Sequence, residues 1–359
     1  MKYVVMGLLM FFIALIIGSV AYSLIAGGSG SKKTGAVTPG IFVKTEDGGI
    51  TWQSTGVFGP ATRGGTLTTT AVALGPSEAG EPVYYLGTLN NGLWQSADLG
   101  KAWTEFQTET YPREGSVQAL AIDKVNPFNF FAAIFRGDRG QILRTKTAGQ
   151  TFQTVFEANA PEIYISAMAV EPDNHATIYA GTNEDGLMVA SDDFGTHWRH
   201  FYEFKDDILA IVPSHSGASE IYVLTRRNIW RFDAAGTWSK INDNRKARFT
   251  GRLRRLIEDP KTPGKLFVAA GSDLWTTPDK GETWTQLFLP AHRENKVEIA
   301  DIALSPVEPN RLAVAYSTVV LISPSAGRDW RVQEPPVRRP IARLIYDPKN
   351  PLSLFITTQ

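Results

Sequence analysis

One eight-residue pattern recurs along the chain and constrains its fold more than any other feature. The pattern reads Ser/Thr-x-Asp-x-Gly-x-Thr-Trp, and its two weakest full-length copies lack the Asp. Its copies lie at 45–52, 96–103, 145–152, 191–198, 277–284 and 323–330, with a shortened one at 232–238. Their glycines, 41 to 51 residues apart, are at positions 49, 100, 149, 195, 236, 281 and 327. Such a period, with β-patterning inside it, is typical of a β-propeller.

The residue types of the motif predict a tight turn between two strands. The glycine can adopt the positive φ that such a turn needs, and the Asp can accept hydrogen bonds from backbone N–H groups of the turn. The Trp then begins the next strand and buries a large ring. We therefore expect structural rather than catalytic roles for Asp47, Gly49, Trp52, Asp98, Gly100, Trp103, Asp193, Gly195, Trp198, Asp279, Gly281 and Trp284.

The sequence between the motifs predicts four short strands per repeat. Residues 117–122, 130–135 and 141–145 read as three strands separated by turns, and Phe152 opens a fourth. The two ends of the repeat region are out of phase, because residues 341–355 supply the first half of a repeat and residues 40–54 the second half. Together they predict an all-β, seven-bladed propeller over residues 39–359, closed by one composite blade that removes exposed sheet edges.

Residues 1–26 are predicted to form a transmembrane anchor or signal segment. Residues 3–26 form an uncharged apolar run that is long enough to span a bilayer, and residues 27–38 form a linker rich in Gly, Ser and Lys. We expect an uncleaved anchor with the propeller outside the cytoplasm, in the periplasm or at the cell surface. A cleaved signal peptide is the alternative, since Ser19-Val20-Ala21 resembles a cleavage site.

The motif resembles the Asp-box, or bacterial neuraminidase repeat. With seven repeats, one domain and an N-terminal export segment, residues 39–359 most resemble the photosystem II stability/assembly factor-like family, and more distantly sortilin-type receptors and sialidases. That resemblance implies a protein-binding scaffold that uses an arginine-rich patch. The sequence departs from the sialidase pattern, which has an Arg before the first motif. Here residues 39–43 read Pro-Gly-Ile-Phe-Val, without an Arg.

No catalytic, metal or cofactor site stands out in the sequence. The chain has no Cys, and its five His residues are scattered, so no thiolate or zinc-spaced set is present. A glucanase remains an alternative, since two facing carboxylates would suffice. The candidate acids near the starts of innermost strands are Glu162, Asp206, Asp207, Glu298 and Asp301. The candidate aromatic contacts for a glycan are Tyr111, Tyr164, Tyr202 and Phe249, although each could equally be a packing residue.

The distribution of basic residues indicates a binding face. The 36 basic and 36 acidic residues balance, which argues against a general nucleic-acid or membrane-surface binder. Arginines nevertheless cluster where one blade connects to the next, which places them around the channel mouth opposite the motif turns. These arginines are either solvated loop charges or a docking face for an acidic segment or a C-terminal carboxylate. The candidates are Arg245, Arg248, Arg252, Arg254, Arg338, Arg339 and Arg343.

Three hypotheses follow from the sequence. The leading one is a non-catalytic, membrane-anchored scaffold that binds a membrane or envelope protein and supports assembly of a complex, without a cofactor. The second is a carbohydrate-binding or glycoside hydrolase-like propeller. The third is a structural subunit of an envelope assembly that uses its rim for contact.

Overall fold

The computed structural model describes residues 42–58, 67–77, 80–112, 114–216, 219–243, 248–290 and 297–359. These residues form 29 β-strands in seven sheets, arranged as the blades of a propeller. The innermost strand of each blade contacts the innermost strand of the next blade, and the last contacts the first, so the ring is closed. The predicted all-β, seven-bladed propeller is confirmed.

The closing blade combines both ends of the repeat region, with two strands from each end paired in one sheet. Val43 pairs with Ile356 and Thr45 with Leu354, so the pairing joins residues more than 300 positions apart in sequence. This is the composite blade that the out-of-phase ends predict. Its strands are β1 (Phe42–Thr45), β2 (Gln53–Thr55), β28 (Ile341–Tyr346) and β29 (Leu354–Thr358).

The other six blades follow one another in chain order. Blade 1 contains β3 (Val57–Phe58), β4 (Thr69–Gly75), β5 (Val83–Thr88), β6 (Leu93–Ser96) and β7 (Ala102–Glu105). Blade 2 contains β8 (Ser116–Ile122), β9 (Phe130–Arg136), β10 (Arg139–Thr145) and β11 (Gln153–Glu157). Blade 3 contains β12 (Ile165–Val170), β13 (Ile178–Thr182), β14 (Leu187–Ser191) and β15 (Arg199–Glu203).

The remaining three blades have the same four-stranded layout. Blade 4 contains β16 (Ile208–Pro213), β17 (Ile221–Thr225), β18 (Ile229–Phe232) and β19 (Trp238–Lys240). Blade 5 contains β20 (Leu253–Glu258), β21 (Leu266–Ala270), β22 (Asp273–Thr277) and β23 (Thr285–Leu287). Blade 6 contains β24 (Asp301–Leu304), β25 (Leu312–Tyr316), β26 (Val319–Ser323) and β27 (Arg331–Gln333).

Blade 1 departs from the four-strand prediction. Its fifth strand, β3, runs parallel to the outer strand β7, with Phe58 opposite Trp103. The two rings stack with centroids 5.7 Å apart and planes 7° apart. A two-residue strand carries too little pattern to be recognised from sequence, so only the tertiary pairing reveals it.

The motif turns hold themselves together by short-range hydrogen bonds. In the first copy the Thr45 hydroxyl accepts from the N–H of Gly49 at 2.9 Å, while the Asp47 carboxylate accepts from the N–H of Thr51 at 2.9 Å. The corresponding bonds at Asp98, Asp193 and Asp279 measure 2.8–2.9 Å. Hydrogen bonds to the charged form lower the pKa of Asp47 to about 2, with the Thr51 hydroxyl as the largest cause. These carboxylates therefore accept hydrogen bonds from their own turns.

Other acceptors replace the Asp in the weaker copies. The Thr147 hydroxyl accepts from the N–H of Thr151 at 2.9 Å, and the Ser325 hydroxyl accepts from the N–H of Asp329 at 2.9 Å. In the shortened copy, Asp233 accepts from the N–H of Thr237 at 3.0 Å. The sequence reading missed this role of Asp233, because the deletion moves it out of phase with the other motifs.

Burial decreases from the middle of each blade to its outer edge. Every residue of the second strand is buried in blades 3 to 6 and in the closing blade, as the apolar run Leu266–Ala270 illustrates. Outer strands such as Thr285–Leu287 are mostly exposed. The core consists of apolar clusters between neighbouring blades, so each blade is stabilised mainly by the two beside it.

The alternating strand directions define two faces. The motif turns lie on the lower face, together with the turns that join first and second strands. The connections between blades lie on the upper face, together with the turns that join second and third strands. The predicted membrane segment at 3–26 and the linker at 27–38 lie outside the described residues. Within the described ranges, no helix has the length and apolarity that a bilayer span requires.

Candidate functional site

A cavity of about 1050 Å³ opens at the upper end of the central channel. We call it the upper cavity. The first residues of the innermost strands line it, as do turns between second and third strands. Its described lining carries seven basic side chains and three acidic ones. They are Lys205, Arg226, Arg227, Arg252, Arg254, Arg255 and Arg343, and Glu184, Asp206 and Asp207.

The acidic side of the upper cavity is formed where blades 3 and 4 meet. The Asp207 carboxylate pairs with the Arg226 guanidinium at 2.5 Å and accepts from the N–H of Glu184 at 2.8 Å. Asp206 is buried and accepts from the N–H of Arg227 at 2.9 Å. Glu184 is exposed, with a φ of 57°, a conformation that costs a non-glycine residue roughly 1–3 kcal/mol. The fold therefore holds Glu184 beside Asp207 in a backbone conformation that a non-glycine residue disfavours.

The predicted acids do not all meet at this site. Asp206 and Asp207 line the upper cavity. Asp301 is buried deeper in the channel, where it pairs with Arg255 and accepts from the N–H of Leu344 at 2.8 Å. Glu298 pairs with Arg254 and lines a separate cavity beside blades 5 and 6. Glu162 is exposed and does not line the upper cavity.

The predicted arginines also divide into groups. Arg252, Arg254 and Arg343 line the upper cavity. Arg248 and Arg338 are exposed and do not line it, and Arg339 donates to the carbonyl oxygen of Gln359 at 2.8 Å. Arg245 lies outside the described residues. The partner-binding role of these arginines stays a prediction.

The structure also places residues at the site that the sequence reading did not select. Arg226, Arg227 and Glu184 line the upper cavity from turns between second and third strands. Both turns directly follow fully buried strands, β17 and β13. A position directly after a buried second strand could have assigned these turns to the upper face. Only the packing of the blades in the closed propeller places the two turns side by side.

Three of the four candidate aromatic residues are packing residues. Tyr111 is buried against Phe152 with ring centroids 5.1 Å apart. Tyr202 packs on Trp238 at 5.1 Å, and Phe249 packs on Trp275 at 5.1 Å. Only Tyr164 lines the upper cavity. Burial, with the nearby Asp207 charge, raises the pKa of Tyr164, so its hydroxyl stays protonated near neutral pH.

The upper cavity ends below in three charged side chains, which we call the channel waist. Arg255 donates through Nε to the Asp301 carboxylate, while the Arg343 guanidinium donates to the carbonyl oxygens of Thr70 at 2.8 Å and Ala342 at 2.9 Å. The charge of Arg255, followed by burial, lowers the pKa of Arg343 to about 10. Across the described ranges, no group of three or more His, Asp or Glu residues could hold a metal ion.

Comparisons with known proteins find similarity to xyloglucanases and to YCF48. No family profile matches the chain. Over 266 residues, or 69% of the chain, it is 24% identical to a xyloglucanase from a Paenibacillus species and 23% identical to one from Hypocrea jecorina. The chain spans only 24% and 29% of the length of these two relatives.

Solved structures show the same fold at low sequence identity. The GH74 xyloglucanase from Xanthomonas campestris superposes with a TM-score of 0.67 at 17% identity, over 83% of this chain and 52% of that one. The structure of YCF48 bound to a D1 peptide superposes with a TM-score of 0.61 at 17% identity, over 82% of this chain and 95% of that one.

These comparisons correct one prediction from the sequence. The expectation of a protein without catalytic activity is contradicted, because the curated relatives and the GH74 structure are xyloglucanases. The sequence kept this function as the second hypothesis, because nothing in it marks any two of the candidate acids as a pair.

Proposed function

We propose that this propeller is a glycoside hydrolase-type domain that binds a β-glucan such as xyloglucan at the upper cavity. The observation that carries the proposal is the similarity to two xyloglucanases over 69% of the chain. The upper cavity supports it with a solvent-open, polar lining that includes three acidic side chains and Tyr164. Polysaccharide recognition needs such polar groups, and an aromatic ring provides a surface for a sugar.

We assign the two catalytic carboxylates to Glu184 and Asp207. Glycoside hydrolysis needs one carboxylate that is ionised, as nucleophile or base, and a second carboxyl group that donates a proton to the leaving oxygen. The ion pair with Arg226 and the N–H of Glu184 hold the Asp207 carboxylate in place, which suits the nucleophile or base. Glu184 faces the same cavity from the neighbouring blade and makes no side-chain hydrogen bond or ion pair within the described ranges, so it is free to approach a glycosidic oxygen.

Reducing-end release from xyloglucan tests this assignment directly. We expect the Glu184→Gln and Asp207→Asn variants each to lower the rate by at least about 100-fold, because acid–base catalysis contributes roughly that much. The matched controls are Glu162→Gln, another exposed acid with a positive φ, and Asp185→Asn, the exposed neighbour of Glu184. Both controls should retain the wild-type rate. Equal losses in the controls, or no hydrolysis or binding of any glucan by the wild-type chain, would contradict the proposal.

A second candidate function is the binding of a protein segment through its carboxylate groups. The excess of basic side chains in the upper cavity favours it, since arginine binds carboxylates with two parallel hydrogen bonds. The structure of YCF48, of which the match covers 95%, is bound to a D1 peptide. In this candidate the chain is anchored by residues 3–26 and acts outside the cytoplasm on a membrane or envelope protein.

Crosslinking in the native membrane distinguishes the two candidates. A protein partner should be captured by the wild-type chain and lost in the Arg252→Glu/Arg254→Glu variant, while the melting temperature stays unchanged. Glucan binding without such capture would leave the hydrolase as the supported function. Capture that survives the charge reversal would exclude these two arginines as the contact.

A further inference from the structure

A second cavity, of about 820 Å³, opens at the lower end of the channel. We call it the lower cavity. The later residues of the innermost strands line it, together with the turns that follow them. Unlike the upper cavity, it is mainly apolar. Its side walls include Val72, Leu74, Ile257, Ile302, Leu304 and Ile345, with prolines near the turns.

The charged residues of the lower cavity are unbalanced. Its described lining contains four basic side chains, Lys124, Arg255, Arg343 and Lys349, and one carboxylate, that of Asp301. The ammonium group of Lys124 donates to the carbonyl oxygen of Leu74 at 2.6 Å, and burial lowers its pKa. Lys349 pairs with Glu81 at 3.1 Å. With Lys349 paired to Glu81 and Arg255 to Asp301, an anion that enters this cavity meets Arg343 and Lys124, which have no carboxylate ion pair within the described ranges.

The channel waist closes the inner end of the lower cavity. Arg255 and Arg343 line both cavities, and Asp301 lines the lower one. The Asp301 carboxylate accepts a hydrogen bond from Arg255, whereas the Arg343 guanidinium, among the residues that the structure describes, donates only to neutral carbonyl oxygens. Two neighbouring guanidinium groups that share one carboxylate repel each other, and a second carboxylate would relieve that repulsion. The waist therefore provides a position for a carboxylate at the end of an apolar funnel.

We propose that the lower cavity binds a single-chain amphiphile with a carboxylate head group. The carboxylate lies against Arg343 at the channel waist, and the apolar chain packs along Val72, Leu74 and Ile345 toward the lower opening. Charge complementarity selects the head group, and burial of apolar surface, worth about 25 cal/mol per Å², supplies much of the affinity. This site is separate from the glucan site proposed at the upper cavity.

Octanoate is a suitable probe because it combines a carboxylate with a short, soluble alkyl chain. Calorimetry on the full chain in lipid nanodiscs, with empty nanodiscs subtracted, should show one saturable site. We expect octanoate to bind at least tenfold more tightly than 1-octanol or octylammonium, which have the same chain without the negative charge. Equal affinity for octanoate and octanol, or no saturable binding, would overturn the proposal.

Two variants locate the site. Arg343→Gln should weaken octanoate binding at least tenfold without changing octanol binding, while Arg252→Gln, which changes only the upper cavity, should leave octanoate binding unchanged. If Arg343→Gln does not fold by circular dichroism, Val72→Glu provides the test, because it places a negative charge on the half-buried wall of the lower cavity. Unchanged octanoate binding in Val72→Glu, or an equal loss in Arg252→Gln, would refute the location.

Discussion

The innermost strands of the closing blade and of blades 1, 5 and 6 run between both ends of the channel, yet the chemistry of the two ends differs. At the upper end, the first residues of these strands and the adjacent turns present charged groups, including Asp207 and Arg252. At the lower end, the later residues of the same strands present apolar side chains such as Ile257 and Leu304. The change occurs within a few residues, at the channel waist.

This difference shows how the repeat divides structural and functional roles. The lower face carries the motif turns, whose polar groups are satisfied within each turn, as Thr45 and Asp47 illustrate. The upper face has no repeated motif, so its residues vary from blade to blade and can form a site. Loops on a rigid scaffold commonly have this freedom.

The largest expected effect is at the channel waist, where the two ends meet. Asp301→Asn leaves the half-buried Arg255 without its carboxylate, and we expect the free energy of unfolding to fall by about 4 kcal/mol. Urea denaturation measures it. The control is Glu298→Gln, which removes an exposed ion pair with Arg254 and should cost at most about 1 kcal/mol. Equal losses of unfolding free energy in the two variants would mean that the ion pair at the channel waist stabilises the fold no more than the exposed pair does.

The same substitution on the two faces should have unequal effects. Gly100, in a lower-face motif turn, has a φ of 82°, and an added Cβ would lie 2.4 Å from the buried Phe42 ring. Gly100→Ala should therefore lower the free energy of unfolding by about 3 kcal/mol.

Gly137 provides the matched control for that substitution. It lies in an upper-face turn with a φ of 63° and has no atom within 4 Å of an added Cβ. Gly137→Ala should cost only about 1 kcal/mol, from backbone strain alone. A Gly137→Ala variant as unstable as Gly100→Ala would show that packing beneath the motif turns is not what constrains the lower face.

The smallest expected effect concerns the acid stability of the motif turns. The pKa of Asp47 is about 2 in the folded protein and 3.8 in the unfolded chain, so its contribution to stability is present above pH 3.8 and is lost as the pH falls toward 2. Melting temperatures from pH 5 to pH 2 should therefore fall less steeply in Asp47→Asn than in the wild type. Identical slopes of melting temperature against pH would mean that the charge of this carboxylate does not contribute to stability.

The sequence predicted the fold well because its signals are local and repeated. Gly49 and Asp47 form a turn through residues at most four positions apart, so the pattern is visible without knowledge of the tertiary structure. The closing blade was also predictable, since the unmatched halves at the two termini complete each other. Strand β3 was missed because two residues carry no periodicity.

The candidate site was less predictable because its residues come from different blades. Asp206 and Asp207 were identified by their position before an innermost strand, but Glu184 was missed. Its place beside Asp207 depends on the packing of blade 3 against blade 4. Tyr111, Tyr202 and Phe249 pack on neighbouring rings and do not line the upper cavity, and the sequence does not show which aromatic rings pack in this way.

The sequence by itself determined the number of blades, the turns of the lower face and the way the ring closes. Each depends on hydrogen bonds or periodicity within one repeat, or on the phase of the two ends. Only the tertiary structure decided which charges meet. Arg255, Asp301 and Arg343 lie more than 40 residues apart in sequence and come together because the ring brings their innermost strands around one channel. Their positions follow from packing between blades, which no single repeat encodes.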